Sequence, residues 1–164
     1  MKNKKLILTV CICLLATIIA VVFLFPRHPQ PEYSVETYEE LAEKLDGQCV
    51  LPAQDTLPHT DVSYTVYLES RFSNDVVGYI IGYNATKTGT TEMTISCKAL
   101  KELDEVIELT PTATYNSVEL EITENSVSFE MSDYRYMIYY DANSEEIQQV
   151  AILIAENIID NTTK

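Results

Sequence analysis

Residues Leu6 to Phe25 read LILTVCICLLATIIAVVFLF, twenty positions without a charge, a glycine or a proline. At about 1.5 Å of rise per residue, a helix of that length spans about 30 Å, the thickness of a bilayer's hydrocarbon core. The run therefore predicts a transmembrane helix, not an element of a water-soluble core. Lys2, Lys4 and Lys5 precede it, and Pro26, Arg27 and a strongly acidic chain follow. Positive-inside bias places residues 1–5 in the cytoplasm as a short tail, residues 6–25 in the bilayer and residues 26–164 outside. The run ends in Val-Val-Phe-Leu-Phe-Pro, which lacks the small-residue exit of a cleaved signal peptide. Val10 before Cys11 and Ile12 before Cys13 are not the small residues that precede a lipoprotein cysteine, and no Glu opens the run as in a pilin-type anchor. An uncleaved single-span anchor is expected. Cys11 and Cys13 then read as apolar filler within it.

Charge narrows the partners. The chain has 164 residues, with 25 Asp+Glu against 11 Lys+Arg and a formal net charge of −14. Three of the bases lie ahead of the span, which leaves residues 26–164 with all 25 acids against eight bases. So acidic a body repels phosphate backbones and anionic headgroups, and nucleic acid is not an expected partner. The lipid bilayer is the expected partner of residues 6–25. Five cytoplasmic residues transmit little by themselves, so signalling would require another membrane protein.

Residues 26–33, PRHPQPEY, carry prolines at 26, 29 and 31. Prolines stiffen the chain toward polyproline II, and this stretch reads as a spacer before an extracytoplasmic domain over 34–164. Thr37-Tyr-Glu-Glu40 is a capping-box pattern. Behind it Tyr38, Leu41, Ala42 and Leu45 fall on one helical face, and Gly47 suits the stop. Val62, Tyr64, Val66 and Leu68 alternate with polar neighbours as in a strand. Val76–Tyr83 is an apolar strand broken by Gly78 and Gly82, and Met93, Ile95 and Cys97 alternate again. Leu100, Leu103 and Ile107 fit a short helix before Pro111. Val118–Ile122, Val127–Met131 and Tyr134–Tyr140 are strands joined by a turn around Glu124-Asn125 and a tight turn at Ser132-Asp133, links so short that the strands must be antiparallel neighbours. Asn143-Ser-Glu-Glu146 opens a last helix whose stripe is Ile147, Val150, Ala151, Ile154, Ala155 and Ile158. The expected fold is α+β: an antiparallel sheet of about six strands, with an N-terminal and a C-terminal helix on one face.

Chemistry-bearing patterns are sparse. His28 lies in the spacer and His59 in a loop, and nothing marks a serine to pair with either. The sequence has no G-x-S-x-G, C-x-x-C, H-E-x-x-H or G-x-x-x-x-G-K spacing, so no cofactor or metal site is expected. Glu36, Glu39, Glu40 and Glu43 read as the solvated face of the first helix. Asp141-Ala-Asn143-Ser-Glu145 lacks the glycine and distal Glu of a calcium loop. Cys49 and Cys97 are the only cysteines outside the span, and an extracytoplasmic setting makes them a candidate disulfide. Tyr134, Tyr136 and Tyr140 share one strand face and form a candidate ligand platform, although tyrosine equally suits a strand core.

The stretch Val118-Glu-Leu-Glu-Ile-Thr, Val127-Ser-Phe-Glu, Tyr134-Arg-Tyr-Met-Ile and Ser144-Glu-Glu-Ile, with Val50-Leu-Pro upstream, resembles uncharacterised extracytoplasmic domains of Gram-positive bacteria. Such domains follow a single membrane span, as in some anti-sigma-factor-like proteins. The resemblance covers the C-terminal two thirds and implies no catalytic residue. This chain departs from it in having no tryptophan and no cytoplasmic sigma-binding part ahead of the span. The expected function is a membrane-anchored extracytoplasmic binding or sensing module without catalytic activity. A surface-anchored hydrolase and a structural envelope component are the alternatives.

Overall fold

The computed structural model describes residues 31–57, 62–70, 75–84, 92–103, 107–141 and 145–162. The expected anchor over residues 6–25, both histidines and most of the expected spacer lie outside these residues. Among the described residues no helix is long and apolar enough to cross a membrane.

The chain forms β1 (Glu32–Val35), α1 (Tyr38–Leu45), β2 (Ser63–Leu68), β3 (Val76–Asn84) and β4 (Glu92–Ala99). It continues as β5 (Ala113–Tyr115), β6 (Val118–Ile122), β7 (Ser126–Met131), β8 (Tyr134–Tyr140) and α2 (Glu145–Asn161). The α+β class holds, but the described residues form a sheet of eight antiparallel strands in the order β1-β2-β3-β4-β8-β7-β6-β5, not about six. The two added strands are the short edges. β1 begins at Glu32, inside the stretch expected to be spacer, and β5 holds three residues after Pro111. The sheet is two four-strand meanders whose last strands, β4 and β8, meet in the middle, paired from Met93↔Tyr140 to Ala99↔Tyr134.

Register assigns every strand residue a face. Tyr33, Val66, Tyr79, Cys97, Tyr136, Phe129, Leu120 and Ala113 stand side by side across all eight strands. With the parallel row of Ile81, Ile95, Ile138 and Val127, they meet both helices in one core. The other face carries Ser34, Thr65, Ile80, Ser96, Met137, Ser128 and Glu121. The rings of Phe129 and Tyr136 stack at 5.0 Å.

Helix α1 starts as its sequence dictates. Thr37 Oγ1 accepts the Glu40 amide at 3.1 Å, and the Glu40 carboxylate accepts the Glu36 amide at 3.0 Å. Asp46 (φ 45) and Gly47 (φ 73) end the helix in left-handed backbone, and Leu41 and Leu45 drop into the core. Helix α2 buries Ile147, Ala151, Ile154, Ala155, Ile158 and Ile159, and leaves Leu153 61% exposed. α1 packs on β1, β2 and β3, and α2 on β7 and β8. Leu100–Glu102 is a single 3₁₀ turn rather than the start of a helix, and Ile107 lies exposed.

Candidate functional site

Helix α1 covers one half of the sheet and α2 the other. Between them runs the segment that leaves α1, residues 48–53. It lies over the middle of the sheet, where Cys97 stands between Tyr79 and Tyr136. The Tyr79 hydroxyl donates to Val50 O at 2.8 Å, and the Tyr136 hydroxyl accepts from Val50 N at 3.0 Å. Tyr38 donates to Pro52 O at 2.7 Å. From α2, Asn157 Oδ1 accepts the Ala53 amide at 2.6 Å and Asn161 Nδ2 donates to Leu51 O at 3.2 Å. Asn157 and Asn161 lie four residues apart, hence on one helical face. Burying a strand-like strap requires partners for its peptide groups, and these five side chains supply them.

The candidate tyrosine platform belongs to this closed side. Tyr136 and Tyr140 are buried and Tyr134 partly so. Their strand face is the one that the helices cover, and the Tyr136 and Tyr140 hydroxyls are engaged by backbone groups of the chain itself, at Val50 and Thr123. They build the core instead of displaying a surface. Burial raises the phenol pKa values of Tyr79, Tyr83 and Tyr136, because a phenolate there would lose its hydration. The candidate disulfide residues are brought together. Cys49 and Cys97 are both buried free thiols in this structure, near enough for Cys49 to act on the Cys97 thiol. Burial, and then Cys49, push the Cys97 thiol up.

The opposite face holds the open site. The link from β4 to β5 must travel from the middle of the sheet to its far edge. It crosses β8 on the side away from the helices, where Arg135 Nη2 donates to Ile107 O at 2.6 Å. Arg135 is only 6% exposed, and its Nε donates to Glu130 Oε1 at 2.9 Å while Nη2 contacts the same oxygen. A guanidinium this buried needs such a partner. Two-residue hairpin geometry provides it: Ser132 (φ 56) and Asp133 turn the chain so that Glu130 pairs with Arg135.

Beside this ion pair the sheet parts. The ladder between β6 and β7 runs from Leu120↔Phe129 to Ile122↔Val127, and Val118, Glu119, Glu130 and Met131 lie beyond its end. There a cavity of about 830 Å³ opens, lined by Glu108, Leu109, Ser117, Val118, Glu119, Glu130, Met131, Ser132 and Arg135. Its charged lining is three carboxylates against one guanidinium. Leu109, Val118 and Met131 give it apolar surface. Ser117 and Ser132 sit at the two hairpin turns, both with left-handed φ, and no lining residue is a histidine, cysteine or lysine that would activate them.

Among the described residues no group of three His, Cys, Asp or Glu is arranged to hold a metal ion. Of the four glutamates of α1 and its entry, Glu36, Glu39 and Glu43 are exposed, and Glu40 caps. Asn143 lies outside the described residues. Alternation along β8 puts Arg135 on the face opposite Tyr134 and Tyr136, a position that by itself assigns it no role. Its signal was available, since a two-residue turn at Ser132-Asp133 puts Glu130 across from it. No protein-family model, curated protein or solved structure matches the chain.

Proposed function

We propose that the protein is a non-catalytic binding module, anchored by residues 6–25 with its body outside the membrane, which takes a cationic group in the cavity beside Arg135. The observation that carries this reading is the chemistry of the lining. Glu130 already neutralises Arg135, so Glu108 and Glu119 leave the cavity with a net negative charge beside apolar surface. A lysine or arginine side chain has the complementary build, an apolar stem ending in a positive charge. The cavity's volume lies within the ordinary range for ligand sites, about 300–1,000 Å³. The net charge of −14 draws a basic partner to the body from a distance. A basic segment of another protein at the outer membrane face is the ligand class that fits.

Calorimetric titration of the full chain in detergent with a lysine-rich peptide, and with a glutamate-rich peptide of equal length, tests the reading. The expected result is binding of the first that weakens with added salt, and none of the second. Equal binding of both, or of neither, contradicts it.

A further inference from the structure

The row Tyr79–Cys97–Tyr136 across β3, β4 and β8 puts one short side chain between two long ones. Both tyrosine hydroxyls reach up to the same residue, Val50, one as donor and one as acceptor. Cys97 stops short of that level, which leaves a slot beneath the strap. The residue directly before Val50 is Cys49, which places its buried thiol under the strap on the side of Cys97. Cys49 is 7% exposed and Cys97 0%. The strap cannot lift Cys49 away without breaking the two tyrosine bonds to Val50, so the nearness of the two thiols is held by the architecture around them.

We propose that Cys49 and Cys97 are a disulfide site, oxidised as the chain folds, whose bond fastens the strap 48–53 to the centre of the sheet. The oxidant required is a disulfide donor, either a small disulfide or a thiol oxidase. The more exposed Cys49 gives up its proton and attacks the donor, which releases one thiol and leaves a mixed disulfide. Cys97, deprotonated in turn, displaces the second donor thiol and closes the Cys49–Cys97 bond. Two protein thiols lose two protons and two electrons, and the donor leaves as two thiols. Both sulfurs end buried, so exchange precedes closure of the strap, and the finished bond is shielded from reductant. The inference does not depend on what occupies the cavity beside Arg135.

The test uses the full chain, with Cys11 and Cys13 present. The protein is unfolded, refolded with reduced and oxidised glutathione, and its free thiols are blocked before proteolysis. Peptide mapping by mass spectrometry is expected to recover one linked pair containing Cys49 and Cys97. Reduction should lower the thermal midpoint by on the order of 10 °C, and a C49S/C97S double variant should show no response to reductant. Recovery of Cys49 and Cys97 as separately blocked peptides, or linked to Cys11, Cys13 or glutathione, overturns the proposal. The mapping reads the unaltered chain, so a variant that fails to fold does not weaken it.

Discussion

The two faces of one sheet have opposite economies of polar groups. On the side of the helices, hydroxyls of Tyr38, Tyr79, Tyr136 and Tyr140 are bonded to backbone atoms, and the apolar rows beneath α1 and α2 are almost fully buried. On the other side Thr65, Ile80, Ser96 and Met137 are only partly covered, Tyr139 is 42% exposed, and the strands part at a cavity carrying more carboxylates than its guanidinium balances. The comparison teaches that tyrosine abundance marks the structural side here, while the polar residues that can meet a ligand lie on the face with fewer aromatic rings. The closed side carries stability. The open side is free to carry recognition.

The largest expected effect is alkaline. Tyr79, Tyr83 and Tyr136 keep their protons in the folded state above the ordinary phenol value of 10.0, because burial disfavours phenolate, whereas the unfolded chain releases them near it. Their contribution is fully present below a pH of about 10 and is lost as pH rises beyond it, by about 1.4 kcal/mol per tyrosine per pH unit. Denaturant titrations across that range, followed by phenolate absorbance, should show stability falling as the chain's tyrosines ionise. A flat profile would place these rings in water.

Ile138→Ala should cost about 4 kcal/mol in urea unfolding, since the side chain is fully buried between β4 and β7 under the helices. A loss below about 1 kcal/mol would mean that the helices do not close this face. Gly78→Ala should cost about 3 kcal/mol although Gly78 adds nothing to either core row. A β-carbon there would lie 2.1 Å from the Cys97 carbonyl oxygen and 3.0 Å from the Lys98 α-carbon, so β3 and β4 would have to separate. On the open face, Met137→Thr should change stability by no more than about 0.5 kcal/mol, because the side chain is only partly covered and threonine suits a strand. A cost comparable to that of Ile138→Ala would show that something packs over this face.

How much of this was legible depended on the range of the interactions. Thr37 and Glu40 announce α1 by themselves because capping is local. β6, β7 and β8 are joined by links of three and two residues, which admit only antiparallel neighbours. β1 and β5 escaped notice because four and three residues are too few to show a period, and because prolines precede both. The joining of the meanders through β4 and β8 rests on pairs such as Cys97↔Tyr136, far apart in the chain, on which no local pattern reports. Alternation puts Tyr134, Tyr136 and Tyr140 on one face of β8, as the structure has them. It could not say which face the helices would cover, and so Tyr136 was a candidate for display when it is a support for the strap. The Glu130–Arg135 pair follows from the hairpin, but the cavity also needs the path of the β4–β5 link over β8, which only the folded chain defines.

The most direct test of the division of labour between the faces is a paired substitution on β6. Glu119 lines the cavity; Glu121, two residues on and facing the same way, pairs with Ser128 and stands outside it. Lysine-rich peptide binding should weaken about three- to tenfold in Glu119→Gln, remain unchanged in Glu121→Gln, and leave the unfolding free energy of both within about 0.5 kcal/mol of the parent. Equal weakening by both substitutions would reduce the cavity to one part of a diffuse acidic surface, and no weakening by Glu119→Gln would remove it as the binding site.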